Sequence, residues 1–278
     1  MRPEGTVAIV GLGLIGGSLA RELAARGARV LGYDTDRVAL EGALAAGAVH
    51  QALSPALDQL GDADVLVLAV PVPAAPRVLE VVREHLGTGT LIMDVGSTKR
   101  SIQAAATTLG LERHFVGAHP LAGDHRGGWS ASRLGLFVGS RVLLCPAPAA
   151  GQPTIQRALE LWQKLGATPQ LTTAEEHDRM LACTSHLPQA TAFLLAHALA
   201  AAGVRREWLG PGGRDTLRLA ASPPPLWTGI ALDNADYLLS ALAALQSSLA
   251  ELEQALQRRD ASRLDELFAS GHHWYTSD

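Results

Sequence analysis

The chain has 278 residues, 47% hydrophobic and 18% charged, enough to bury the core of one large or two modest domains and too apolar to stay disordered. A net charge of −4, with no basic or basic–aromatic run, excludes a nucleic-acid partner from the expectation. Two cysteines in unrelated settings, Cys145 and Cys183, form neither a disulfide framework nor a metal knuckle, and His272 and His273 are adjacent and diverge, so no metal is expected.

A strand is predicted over residues 6–10. The apolar part of it is far too short for a secretory leader, and glycines follow at once, so a cytoplasmic protein is expected. Gly11-Leu12-Gly13-Leu14-Ile15-Gly16 then opens a helix over 17–25. The first glycine permits the tight turn, the second lets a pyrophosphate approach the backbone, and the third lets helix and strand pack closely. The free N–H groups of the helix start, Leu14 and Ile15 among them, face the phosphates. The next strand, 29–33, ends at Asp34, about 20 residues on, where a carboxylate accepts the ribose hydroxyls of NAD and repels the 2′-phosphate of NADP. NAD is therefore expected; Arg37, close by, is the residue that would offset this choice.

A helix over 36–46 precedes a strand over 64–70, whose end, Val70-Pro71, lines the adenosine side of the crevice. A helix over 73–84 and a strand over 90–95 lead to Asp94-Val95-Gly96-Ser97-Thr98-Lys99. Only Lys99 and Lys164 are lysines among 23 basic residues, which singles out Lys99 in a chain that otherwise uses arginine. Ser97 is positioned to orient an imidazole or bond the nicotinamide amide, or else to cap a helix over 98–106. The strand 115–118 is followed by His119, held between a strand end and Pro120. Strands over 141–145 and 168–171 flank a helix over 154–165. Strands this apolar, alternating with helices, predict a buried parallel sheet covered on both faces.

After about residue 172 no strand is predicted. Residues 174–202 form one long helix carrying Ser185-His186-Leu187-Pro188, with the proline kinking it or starting a new turn. Its apolar part falls short of the ~20 residues a membrane span needs, so no membrane partner is expected. A Gly/Pro/Arg-rich loop over 203–225 carries Asp215 and Arg218, and helix 226–257 begins at Leu226-Trp227. Leu238, Leu242, Leu245, Leu249, Leu252 and Leu256 step by fours and threes, a seam for packing within a helical domain or between two copies. The division predicted is an α/β dinucleotide-binding domain over 1–172 and an all-helical substrate and dimerisation domain over 173–278.

An imidazole with an ordinary pKa near ~6.5 accepts a hydroxyl proton at neutral pH, which makes His119 the candidate base. Arg218 suits a bidentate pair with a substrate carboxylate, unless it pairs with Asp215. The ordered set DVGSTK, GAHPLAG, SHLPQ and GGRDTLRLA, after the GLGLIGGSLA opening and before PPPLWTGI, resembles the prephenate/arogenate dehydrogenase family over most of the chain. The resemblance implies a Rossmann-type domain and an NAD-dependent oxidative decarboxylation of prephenate, or of its amino analogue arogenate, on the route to tyrosine. By it, His119 is the base, and Ser97 supports that base and contacts cofactor and substrate. His186 lies near the nicotinamide and the substrate ring. Arg218 binds a substrate carboxylate with Asp215 positioning it, and Trp227 closes the pocket.

One departure bears on the substrate. Where many relatives carry Glu two residues after Ala122-Gly123, this sequence has Asp124-His125. With His125 where relatives place an acid able to meet an amino group, prephenate is expected over arogenate. Some relatives also carry a C-terminal regulatory ACT domain, for which no room is expected after the helical half. Two rival readings remain: a β-hydroxyacid or imine-reducing dehydrogenase, which would favour a catalytic Lys or Asp in the long helix, and an NAD-binding protein without chemistry.

Overall fold

A computed structural model describes residues 5–123 and 126–277; Asp124 and the predicted substrate contact His125 lie outside them. The first half runs β1 (Thr6–Val10), α1 (Leu14–Ala25), β2 (Arg29–Tyr33), α2 (Arg37–Ala45), β3 (Gln51–Ala52), β4 (Val65–Leu68), α3 (Ala75–Val82), β5 (Leu91–Asp94), α4 (Arg100–Thr108), β6 (Phe115–Pro120), β7 (Arg141–Pro146), α5 (Gln152–Lys164) and β8 (Thr168–Leu171). The strands form one sheet in the order β3-β2-β1-β4-β5-β6-β7-β8. Strand order reverses beside β1, which opens a crevice at the carboxyl ends of β1 and β4.

Alternate residues of the central strands bury opposite faces of the sheet. Val7, Ile9, Val67, Met93 and Leu144 pack with Leu19 and Trp162 on one face. Ala8, Val10, Leu66, Leu68 and Ile92 pack with Leu79 and Ile102 on the other. The predicted strands are all present, with two differences. The two-residue edge strand β3 is too short to leave a pattern. The sheet is also not wholly parallel, since β7 runs antiparallel to β6. Between Pro120 and Arg141 the described chain forms only a 3-10 turn (Trp129–Ala131), with no helix to carry it back across the sheet. That pairing matches His119 with Leu143, so β6 continues through His119 to Pro120.

The second half is helical: α6 (Ala174–Leu181), a π-helical turn (Ala182–His186), α7 (Leu187–Ala201), α8 (Pro211–Leu217), α9 (Pro224–Asp233), α10 (Ala235–Arg258) and α11 (Ala261–Thr276). Helix α6 starts with a reciprocal capping box between Thr173 and Glu176. Pro188 falls in the first turn of α7, directly after the π-helical turn, so a new helical segment starts there. The region expected to be loop over 203–225 is largely helical, since Pro211 can start a helix as well as end one. The helix expected over 226–257 breaks at Asn234, whose backbone turns between α9 and α10 and whose side chain is buried. Of the leucine seam Leu238 is buried and Leu242, Leu245 and Leu252 are half-buried, while Leu249 is 54% and Leu256 58% exposed. Among the described residues no helix is long and apolar enough to cross a membrane.

Candidate active site

The glycine turn after β1 leads into the crevice. Gly11 has φ +97°, and a Cβ there would lie 2.3 Å from the Ala69 carbonyl oxygen; a Cβ on Gly16 would lie 1.9 Å from the Gly11 carbonyl oxygen. Both positions therefore require glycine. Gly13 differs: nothing lies within 4 Å of its added Cβ. It is the N-cap of α1 and carries no side-chain cap, so the first amides of that helix, from Leu14 and Ile15 on, face open space. The cradle fits a pyrophosphate. Asp34, at the end of β2, accepts from Leu12 N–H at 2.6 Å and from Asp36 N–H at 2.8 Å. Each oxygen keeps a lone pair for a ribose hydroxyl, so holding the turn and reading the ribose are compatible. Arg37 is exposed at the start of α2 and lies 3.6 Å from Glu41. Val70 and the exposed Pro71 follow β4 beside this crevice.

Two strands along, β5 and β6 pair with Asp94 opposite Gly117, so Ser97 follows the end of β5 while His119 stands in the last residues of the neighbouring β6. Ser97 is not a helix cap: the N-cap of α4 is Lys99, and no side chain of the same segment caps it. The cap comes from the helical half, where the buried Asp178 accepts from Lys99 N–H at 2.8 Å and Arg100 N–H at 3.0 Å. Lys99 is itself wholly buried and paired with the buried Asp94. Its chain passes where a Cβ on Gly117 would stand, 3.0 Å from Lys99 Cδ. Burial raises the Asp94 carboxyl against the pull of the Lys99 ammonium.

His119 Nδ1 lies 2.8 Å from His177 Nε2, and His177 Nδ1 lies 2.8 Å from Asp178 Oδ1. His119 Nε2 has no hydrogen-bond partner among the described residues. Loss of water holds the His119 imidazole well below its ordinary pKa, and the nearby His177, Lys99 and His186 act in the same direction. Burial likewise lowers His177, against the pull of Asp178. Burial would raise Asp178 itself, but His177 and the amides of Arg100 and Lys99 outweigh it and keep the carboxyl low.

His186 sits in the π-helical turn, a distortion that re-aims side chains and recurs at functional sites. Its environment follows from Asn234. The Asn234 oxygen accepts from Arg100 Nη2 at 3.1 Å, so its amide nitrogen is the group 2.8 Å from the Asp178 carbonyl oxygen and 3.1 Å from His186 Nδ1. Nδ1 of His186 is therefore an acceptor and Nε2 carries the proton. That Nε2–H is buried without a partner, a donor held for a ligand. Burial brings the His186 pKa down to about 4, so the ring is neutral at physiological pH. Trp227 stands edge-on to it, ring centroids 6.2 Å apart, and the two line an apolar pocket of 300 Å³ with Gln189, Phe193 and Leu238.

Arg218 and Asp215 do not join this cluster through any described contact. They line a groove of 590 Å³ between α7 and α8 with Leu199, Val204 and Leu217. Four residues of the cluster, His177, Asp178, Asn234 and Arg100, were not singled out in the sequence. His177-Asp178 lies inside an ordinary amphipathic helix pattern, and Asn234 inside a predicted helix. Among the described residues no group of three or more His, Cys, Asp or Glu is arranged to hold a metal.

Comparison with known proteins bears directly on this arrangement. A model described as the nucleotide-binding domain of prephenate dehydrogenase matches residues 19–171, and one described as its dimerization domain matches residues 173–270. A cyclohexadienyl dehydrogenase of Zymomonas mobilis is 33% identical, covering 94% of this chain and 92% of that protein. The chain belongs to the prephenate dehydrogenase family. A prephenate dehydrogenase of Bacillus subtilis is 28% identical over 95% of this chain and 73% of its own length. The crystal structure of the Aquifex aeolicus prephenate dehydrogenase in complex with hydroxyphenyl propionate and NAD+ superposes with a TM-score of 0.89 at 26% identity, covering 99% of this chain and 98% of that one. The chain is accordingly an NAD-dependent oxidoreductase of this family, with a nucleotide-binding half and a helical half of the dimerization type.

Proposed function

We propose that this enzyme oxidises and decarboxylates prephenate to 4-hydroxyphenylpyruvate, with His119 as the base. The observation that carries the reading is the His119 ring: neutral, tied through Nδ1, and with Nε2 unengaged at the carboxyl edge of the sheet that holds the dinucleotide crevice. Gly11, Gly13, Leu14, Ile15, Gly16, Asp34, Val70 and Pro71 hold NAD, with Arg37 at the rim and Ser97 toward the nicotinamide. NAD, when bound, accepts the hydride that leaves C4 of the substrate.

His119 Nε2 takes the proton of the C4 hydroxyl. The ring carboxylate then leaves as CO₂, and aromatisation of the ring drives the step. His186 donates its unpartnered Nε2–H to an oxygen of the substrate or of the nicotinamide amide. Trp227 packs against the side chain, and Arg218, positioned by Asp215, pairs with a substrate carboxylate. Arg218 reaches that carboxylate in an assembled site, since the 590 Å³ groove it lines stands apart from the His119 cluster. The protein thus supplies orientation and proton acceptance.

The working unit is a homodimer built through the helical half, residues 173–278, with residues 1–172 as the dinucleotide-binding unit. The exposed leucines of α10 support this, as does α11, which buries no residue of its own and exposes Phe268 and Trp274. Action on arogenate is a second reading, favoured by the likeness to the Synechocystis arogenate dehydrogenase, which superposes with a TM-score of 0.82 at 28% identity.

His119→Asn tests the assignment of the base. Turnover is expected to fall about 10²–10⁴-fold while NAD affinity is kept. Normal turnover in that variant would remove His119 from the role.

A further inference from the structure

Asp178 is engaged at both oxygens. Lys99 N–H and His177 Nδ1 meet Oδ1; Arg100 N–H and Arg100 Nε meet Oδ2, the last at 3.3 Å. The Lys99 and Arg100 amides and the Arg100 guanidinium are donors in any protonation state, and the Asp178 carboxyl is held below its ordinary range despite burial. Asp178 is therefore the carboxylate, and His177 carries its proton on Nδ1. A neutral His177 then offers a bare Nε2, and the only hydrogen bond this can make to His119 is as acceptor from Nδ1–H. His119 in turn is left with a bare Nε2, the atom that must take a proton.

We infer that His177 and Asp178 are positioning residues that fix the proton of His119 on Nδ1 and so keep its Nε2 available as the acceptor. The inference rests on the reading of His119 as the base. An isolated neutral imidazole distributes its proton between both nitrogens, and only one of the two forms can accept at Nε2. The pair selects that form without touching the substrate, as an aspartate does for the histidine of a serine-protease triad. Here the carboxylate acts through a second imidazole rather than directly. Asp178 is itself anchored from both halves of the molecule: it caps α4 below the nucleotide-binding sheet, and its carbonyl receives Asn234 from the helical half. The orientation of the base is thereby tied to the way the halves are docked.

The charged and titratable groups facing the pair come from every side. Lys99 and Asp94 face it from the β5–α4 segment, His119 from β6, Cys145 from β7, Arg100 from α4 and His186 from the π-helical turn. None of them presents an acceptor to His177 Nδ1 in place of Asp178.

Asp178→Asn reverses the chain. Its amide N–H₂, turned to His177, makes Nδ1 an acceptor, moves the His177 proton to Nε2, and forces that of His119 to Nε2 as well. ¹⁵N-histidine NMR of the full-length protein at neutral pH reads these positions directly. The expected spectrum has a protonated Nδ1 and bare Nε2 for His119 in the wild type, reversed in Asp178→Asn, with kcat lower by about 10²–10⁴-fold and NAD affinity kept. His177→Gln and His177→Leu test the same chain without touching the cap on α4. Gln places an oxygen where Nε2 of His177 stands and should keep kcat within about tenfold, while Leu should lose substantially more with substrate KM little changed. A His119 protonated at Nε2 in the wild type, or equal damage from Gln and Leu, would overturn the inference. Full turnover by His119→Asn with these NMR assignments intact would instead overturn the choice of base and leave the tautomer assignment supported.

Discussion

The imidazoles of His119, His177 and His186 are all drawn toward their neutral forms, first of all by the water they lose in the protein. For His186 the ordinary value of 6.5 falls to about 4. A native pKa below the unfolded one means that the unfolded chain binds protons the folded chain refuses. Stability is then full above about pH 6.5 and is lost as the pH falls toward 4, by roughly 1.4 kcal/mol per pH unit for each proton taken up on unfolding. The same shifts keep His119, the proposed base, free as the solution acidifies. Thermal unfolding followed from pH 8 to 4 should show Tm falling through this window, and the acid limb of kcat/KM should have its midpoint below 6.5. An acid limb centred above 6.5 would mean that His119 gains a partner for its charged form.

At the scale of elements, the site depends on interruptions of regular structure. Helix α6 passes into α7 through a π turn that aims His186 inward, and the break at Asn234 between α9 and α10 delivers the amide that sets its proton. These are the parts least legible in sequence. Apolar periodicity runs through both places without a gap, and Pro188 marks the start of α7 rather than the distortion before it. What was legible had a local physical signature. The strand–glycine–helix unit could be placed because Gly11 and Gly16 admit no side chain, and His119 because a polar residue ends an apolar strand. Ser97 shows the limit of local reasoning: it has the residue type and position of a cap, yet the cap is Asp178, 79 residues along the chain from the capped Lys99. Side chains that meet only after two halves dock leave no spacing to read.

Across the whole molecule, the junction of the halves is a buried polar seam. Arg100 joins it from α4, making a bidentate pair with Asp236 at 2.8 and 2.5 Å, bonding Asn234 and Asp178, and stacking 4.5 Å from the Tyr237 ring centroid. Burying Lys99, Asp94, His177, Asp178, His186 and Asn234 together is costly where a group goes unanswered; Asp94 Oδ1 and His186 Nε2–H are left without a partner, and the second faces the place proposed for substrate. Elsewhere on the helical half, Leu249, Leu256, Phe268 and Trp274 stand exposed. Leu249→Glu with Leu256→Glu should break the proposed dimer to monomer in light scattering without unfolding the nucleotide-binding half. An unchanged mass would place the dimer interface elsewhere.

The most direct test of the account is NADH formation by the purified protein given NAD with prephenate, and separately with arogenate, at equal concentrations. The account predicts turnover of prephenate with the higher kcat/KM of the two. No NADH from either substrate, in protein that still binds NAD, would contradict it.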